Sequence, residues 1–354
     1  VRLSSVLSEA RRDIATGTTR AAAFALLLAA SSGLAAVADV SAVAALTRDA
    51  IGYVAGGGAT RVLALEAGVD GEICDALPGH ADVLASGAMR PGPDLAVTTL
   101  PGATLASYEV TPGFAALVAS SDGRAGAWIS PALAERLGAT PGTQLDTDHG
   151  PLLVAGVFPW PPDGRDSRLV TAVLVPGDTT RPFDECWATA WPQGDTTDHL
   201  LRTAVSASAG PNAPVSLGRL NASLGSVPAD GDVWSERLTR RAAAVAATAG
   251  AVLGVLSVRR RRLELSGARQ AGQTRAALLA VVVTETAVWS ACGALLATGI
   301  GCVSLFLGTG SVVDDPLPLA AAAPLAGAAA AVLAAATTTL SVRRRDLVRW
   351  FKDR

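Results

Sequence analysis

Four stretches of this sequence carry almost no charge: residues 21–38, 242–258, 276–310 and 317–342, with Glu285 the one acid among them. A helix needs roughly 17–25 apolar residues to cross a bilayer. Only helices and closed barrels satisfy their backbone polar groups in lipid. The runs therefore predict four membrane-spanning helices, at 21–45, 239–258, 276–310 and 317–342. Composition agrees, with 17% charged residues and a mean hydropathy of +0.37, against about 25% charged in a soluble domain. Gly293, Gly299 and Gly301 in the third run would allow close helix contacts.

The segment 46–238, between the first and second spans, has a different character. Glycine, proline, aspartate and threonine recur, and no uncharged run reaches spanning length. Its size suits one folded domain. Residues 61–65, 152–158 and 169–175 are aliphatic and β-branched, bounded by turn formers, and predict strands. Ser130 followed by Pro131 predicts a helix at 131–137, with serine as N-cap and proline in the first turn. Residues 160–164, Trp-Pro-Pro-Asp-Gly, predict a turn or exposed loop. The fold class is thus an α-helical membrane protein with four transmembrane helices and an extracytoplasmic α+β domain between helices 1 and 2.

Charge sets the expected orientation. Residues 1–20, 259–275 and 343–354 together hold 16 arginines and lysines against five acids. Basic residues in short segments beside spans stay on the cytoplasmic side, which places both termini and the 259–275 loop inside. In residues 1–20, Leu3, Val6, Leu7, Ala10 and Ile14 recur at helical spacing among arginines. This predicts a cationic amphipathic helix at the membrane interface. Small residues after the first run resemble a signal-peptide cleavage site, but the twenty-residue polar lead is long for one and favours a retained span. Asp39 falls near the outer boundary, and Asp314-Asp315-Pro316 predicts an outer turn. The segment 343–354 is a cytoplasmic basic tail.

The order of residues in the 259–275 loop is more specific than its charge. Glu264, Leu265, Arg269, Gly272 and Arg275 fall in register with R-x-x-E-[IL]-x-x-x-R-x-x-G-x-x-R. In this the chain resembles the MacB/FtsX-like ABC permeases (type VII, mechanotransmission-type). A second likeness lies at 128–159. A Ser-led helix there ends in Leu137-Gly138, followed by Pro141-Gly142, Leu145 and the strand Val154-Ala155-Gly156-Val157-Phe158, as in that family's external domain. The resemblance implies a bacterial cytoplasmic-membrane permease working as a homodimer or heterodimer with a separate ABC ATPase subunit. That partner would bind ATP and Mg. The chain would couple ATP hydrolysis to movement of its external domain and export an amphiphilic substrate such as a peptide, antibiotic, haem or lipid. The alternative within the same layout is an FtsX-like signalling scaffold controlling an external cell-wall hydrolase, an extracytoplasmic partner protein. Arg262 to Arg275 and the N-terminal helix would lie against the motor. Glu264 and Arg269 would be polar anchors, Leu263 and Leu265 apolar ones, with Gly272 and Arg275 completing the motif. Gly267, Ala268 and Gln270 depart from the residues usual at their positions.

Other chemistry finds no support. No G-x-x-x-x-G-K-[ST] sequence is present and Lys352 is the sole lysine, so the chain is not its own P-loop ATPase. His80, His149 and His199 have no metal-ligand spacing, and no G-x-S-x-G elbow occurs. No metal site, catalytic residue, cofactor or nucleic-acid surface is expected in this chain; its remaining partner is membrane lipid. Glu285, an acid within a span, is either a helix-contact or switch residue or an acid near the inner interface. Cys74 and Cys186 both fall in the external domain, where disulfides persist; either a bridge or two thiols fits the sequence. Cys292 and Cys302 read as packing residues in the third span.

Overall fold

The computed structural model describes residues 3–17, 20–80, 82–100, 102–118, 126–210, 213–225, 236–309 and 316–341. Asp314, Asp315 and the basic tail 343–354 lie outside these. The chain forms two compact units, one of residues 1–48 with 234–354 and one of residues 49–233.

The first unit is helical. An N-terminal helix spans Leu3–Ala15, and among the described residues four helices are long and apolar enough to cross a membrane: Ala21–Ala55, Ala242–Arg260, Arg275–Thr309 and Pro316–Ser341. The chain is a multi-pass membrane protein. The first membrane helix continues ten residues past 45 and carries Arg48 and Asp49 in its last turns. Its 35 residues rise roughly 50 Å, more than the ~30 Å hydrocarbon layer needs, so charge near its end is tolerated. The second helix is entered through a 3-10 turn at Leu238–Arg241. Asp39 is ion-paired with Arg237 at 3.2 Å just before that turn.

Small residues bring these helices together. A Cβ on Gly250 would collide with the Gly327 carbonyl, and one on Gly254 with the Ala331 carbonyl. The second and fourth membrane helices thus meet backbone to backbone through a G-x-x-x-G spacing. In the third helix Gly293 lies against Ala25 and Gly301 against Ala320, while Gly299 has no neighbour at that range among the described residues. Phe24 and Trp289 pack ring to ring at 5.5 Å between the first and third helices.

The inserted unit is α+β. Its strands are β1 (Thr60–Val69), β2 (Val83–Pro91), β3 (Leu95–Ala96), β4 (Thr104–Leu105), β5 (Ser107–Val110), β6 (Ala127–Ile129), β7 (Gln144–Thr147), β8 (Gly150–Val157), β9 (Val173–Pro176), β10 (Phe183–Ala190) and β11 (Ser216–Arg219). Nine form one mixed sheet in the order β11-β1-β10-β2-β5-β9-β6-β8-β7, and β3 pairs with β4. Successive side chains on a strand face opposite ways, and β10 shows the consequence. Cys186 enters a core with Leu63, Leu77, Phe183 and Leu201, while Trp187 enters another with Phe114, Phe158 and Trp160. Cys186 is bonded to Cys74, in the helix Gly71–Ala76, as a disulfide. On β2, Gly87 leaves the space in which the Phe114 backbone sits.

The helix Pro131–Leu137 forms where expected. Ser130 Oγ accepts from Leu133 N–H, and Gly138 closes the helix in the left-handed conformation, φ +60°. It packs Leu133 against Ile129, Leu145, Val154 and Val173. The 169–175 stretch differs from the expected strand. A 3-10 helix, Ser167–Thr171, occupies its first half and β9 only its second. The cause is local: Asp166 accepts from Arg168 N–H at 2.9 Å, and such a cap competes with extended backbone. In the 160–164 loop Trp160 is buried, its Nε1 donating to Asp166 O at 2.8 Å, while residues 161–164 are exposed.

Candidate functional site

The second membrane helix ends at Arg260, and Arg261 is the one residue between it and a short loop helix, Arg262–Gln270. The loop helix stops with two bonds, Gln273 N–H to Ala268 O at 3.1 Å and Gly272 N–H to Arg269 O at 3.4 Å. This pairing is a Schellman ending, and it needs a left-handed residue at its turn. Gly272 supplies it, with φ +97°. Two residues on, Thr274 Oγ1 accepts from Ala277 N–H at 3.2 Å and caps the third membrane helix. The motif glycine therefore sets the angle between two helices.

The loop helix has two faces. Leu265, Ser266 and Arg269 are buried, and Leu265 with Ala268 packs on Val258, Leu278, Val282 and Ala335 of the membrane helices. The spacing of three and four residues keeps them on one side. Arg262, Glu264 and Gln270 are exposed, Leu263 is half-buried, and Gly272 and Arg275 are exposed at the helix end. The structure thus separates the six motif side chains. Leu265 packs on the membrane helices and Arg269 is buried, its Nη1 donating to Gln273 O at 3.4 Å, whereas Arg262, Leu263, Glu264 and Arg275 are left with solvent access.

Arg261 gathers the charges. Its Nε and Nη2 grip both oxygens of Glu264, at 2.9 and 2.7 Å. Nη2 also reaches Asp13 Oδ2 of the N-terminal helix at 3.0 Å. On the other side Nη1 binds Glu285 of the third membrane helix. Burial works against the Arg261 charge, but the bonds to Glu264 and the Glu285 and Asp13 carboxyls outweigh it and hold the guanidinium above its ordinary range. Beside the pair lies a cavity of about 20 Å³ lined in part by Ser257, Glu285, Thr286 and Trp289, room for about one water. A further bond, Gln273 Nε2 to Glu9 Oε1 at 3.3 Å, ties the N-terminal helix to the loop a second time.

Sequence reasoning left three parts of this arrangement unassigned. Arg261 fills the first arginine of the motif, but a run of four arginines does not say which one turns inward. Glu9 and Asp13 stand four apart on an otherwise cationic helix, a spacing that marks one face. The G-x-x-x-G at 250–254 lies in an uncharged run, where it signals a helix contact. Cys292 is exposed and Cys302 half-buried. Among the described residues no group of three or more His, Cys, Asp or Glu is arranged to hold a metal ion.

No family model and no curated protein matches the sequence. Solved structures similar in fold include the periplasmic region of MacB from Actinobacillus actinomycetemcomitans, at 10% identity and a TM-score of 0.35, covering 47% of this chain and 91% of that one. The extracellular domain of the noncanonic ABC-type transporter YknZ from Gram-positive bacteria matches at 13% identity and 0.32, covering 45% and 99%. A permease-protein domain from Porphyromonas gingivalis matches at 12% and 0.31, covering 46% and 90%. All three are similar at low identity, and what the chain does is read from its own residues.

Proposed function

We propose that the chain is the permease subunit of an ABC-type export or efflux system. A separate ATPase, holding ATP and Mg, docks on the exposed face of the loop helix, and its closure moves the membrane helices and, through them, the inserted domain. The chain works as a dimer of permease subunits on an amphiphilic substrate. The observation that carries this reading is the two-faced loop helix. One side is fixed to the bundle by Leu265 and Ala268, with Arg269 buried beside them, and the other offers Arg262, Leu263, Glu264 and Gln270 to a partner. A helix held this way passes on a push instead of folding away from it.

Two observations support the orientation. The six arginines of 259–275 favour a cytoplasmic loop. The Cys74–Cys186 disulfide favours an oxidising compartment for the inserted domain.

The test is to purify the tagged full chain from its native membrane in mild detergent and identify what accompanies it by mass spectrometry. An ABC ATPase in about equal amount is the expected result. A cell-wall hydrolase arriving with that ATPase would turn the reading towards transmembrane signalling. No ATPase in any of several detergents would overturn the proposal.

A further inference from the structure

Arg261 stands at the single break between the second membrane helix and the loop helix. Its side chain binds three carboxyls from three different helices. Their side-chain exposure falls from 52% for Glu264 through 24% for Asp13 to 5% for Glu285, with Arg261 itself at 12%. The guanidinium therefore runs from the solvent face of the loop to the interior of the bundle. Only a planar fork with five donors can hold partners on several sides at once; a lysine ammonium offers a compact point charge.

Adhesion alone does not call for this cluster. Leu265 and Ala268 already bind the loop helix to Val258, Leu278 and Val282, and a buried ion pair is in general no more stabilising than apolar residues of the same volume. What the ion pairs add is direction. An apolar contact lets surfaces slide, whereas bonds from one guanidinium to Glu264 and Glu285 fix the loop helix to one point on the third membrane helix. The bond to Asp13 fixes the N-terminal helix to the same point.

From this geometry we infer that Arg261 is a positioning residue, a three-way tie that makes the N-terminal helix, the loop helix and the third membrane helix move as one. Glu264 is the end of the tie that faces the docking partner, and Glu285 is the end anchored in the membrane helix. Glu264 thus serves the motor through Arg261 rather than as a free anchor. The source of the push rests on the permease reading above. The tie itself does not.

The experiment is hydrogen exchange of the full chain in lipid nanodiscs, followed on peptides covering residues 3–15, 262–270 and 276–286. Two variants carry it. Glu285→Gln keeps the side chain's shape and removes the charge; Arg261→Lys keeps the charge and removes the fork. Both avoid the uncompensated buried carboxylate that Arg261→Ala would leave, so both are expected to insert and fold. The tie predicts exchange at least about tenfold faster in 3–15 and in 262–270 for both variants, although Glu285 lies in neither segment. A merely local role for Glu285 predicts a change in 276–286 alone, and that result overturns the inference. In the ATPase-containing preparation, Mg-ATP is expected to alter exchange in 276–286 of the wild type. In Glu285→Gln that response is lost while the ATPase still co-purifies; a retained response contradicts the tie. Absence of any ATPase from the wild type would sink the permease reading and leave the first arm to decide the tie.

Discussion

Each of the two units has an arginine held between carboxylates, and the two clusters do different things. In the inserted domain Arg168 binds Asp166 at 2.5 Å and Glu185 at 2.7 Å with 43% of its side chain exposed. It joins a 3-10 helix to one strand. In the helical unit Arg261 binds Asp13, Glu264 and Glu285 with 12% exposed, and it joins three helices. The chemistry is the same. What differs is water. In the domain solvent reaches the Arg168 guanidinium, and Glu185, 13% exposed, keeps the bond from Trp187 Nε1 when Arg168 is lost, so the cluster adds little to a fold already held by its core. At the loop, loss of one partner leaves a charge in a place water reaches poorly, so the geometry is enforced.

The contrast can be broken from either side. Arg261→Ala should have the largest effect, a destabilisation of about 3–5 kcal/mol as Glu285 loses its cation in a buried site. Thermal unfolding of the helical unit in detergent would record it. Next in size is the covalent brace of the inserted domain. Replacing both Cys74 and Cys186 by serine should cost about 2–4 kcal/mol, seen as a lower denaturant midpoint for the domain and no change in the membrane helices. Arg168→Ala should cost less than about 1 kcal/mol, and the cost should shrink further in high salt. A loss as large as that from Arg261→Ala would erase the distinction between the two clusters.

The smallest effect is a slope with pH. Burial raises the Asp75 carboxyl above its ordinary range, outweighing the hydrogen bonds from Thr111 Oγ1 and Gly113 N–H. A raised folded value means the protonated form is the one favoured by folding. Its contribution is complete below the unfolded range near about 3.9 and is lost as pH rises through the raised folded value. The difference in unfolding midpoint between wild type and Asp75→Asn should therefore move against the wild type as pH climbs through that window. A difference that is flat with pH would remove the assigned role of burial.

How far the residues announced all this depends on the length scale. The spans were legible because an uncharged run in lipid has few ways to satisfy its backbone. The helix Pro131–Leu137 was legible because its cap, its proline and its closing glycine are all local signals. The 3-10 helix Ser167–Thr171 was not, since aliphatic composition favoured a strand and a single side-chain cap decided otherwise. The extension of the first helix to Ala55 was hidden by Arg48 and Asp49, which end an apolar run without ending a helix. At the loop, the motif order placed the helix but not its faces. Leu265 and Arg269 turn inward, and Arg261 acquires its role only because Asp13, some 248 residues away, and Glu285 converge on it.

In the function proposed above, the outer face of the loop helix receives the motor while the inner face is occupied by the chain itself. Site-specific photo-cross-linking in native membranes tests it most directly, with the reactive group placed in turn at Leu263, Gln270 and Leu265. Cross-links to an ABC ATPase are expected from positions 263 and 270, and only internal cross-links from 265. An ATPase captured from 265 and absent from 263 and 270 would contradict it.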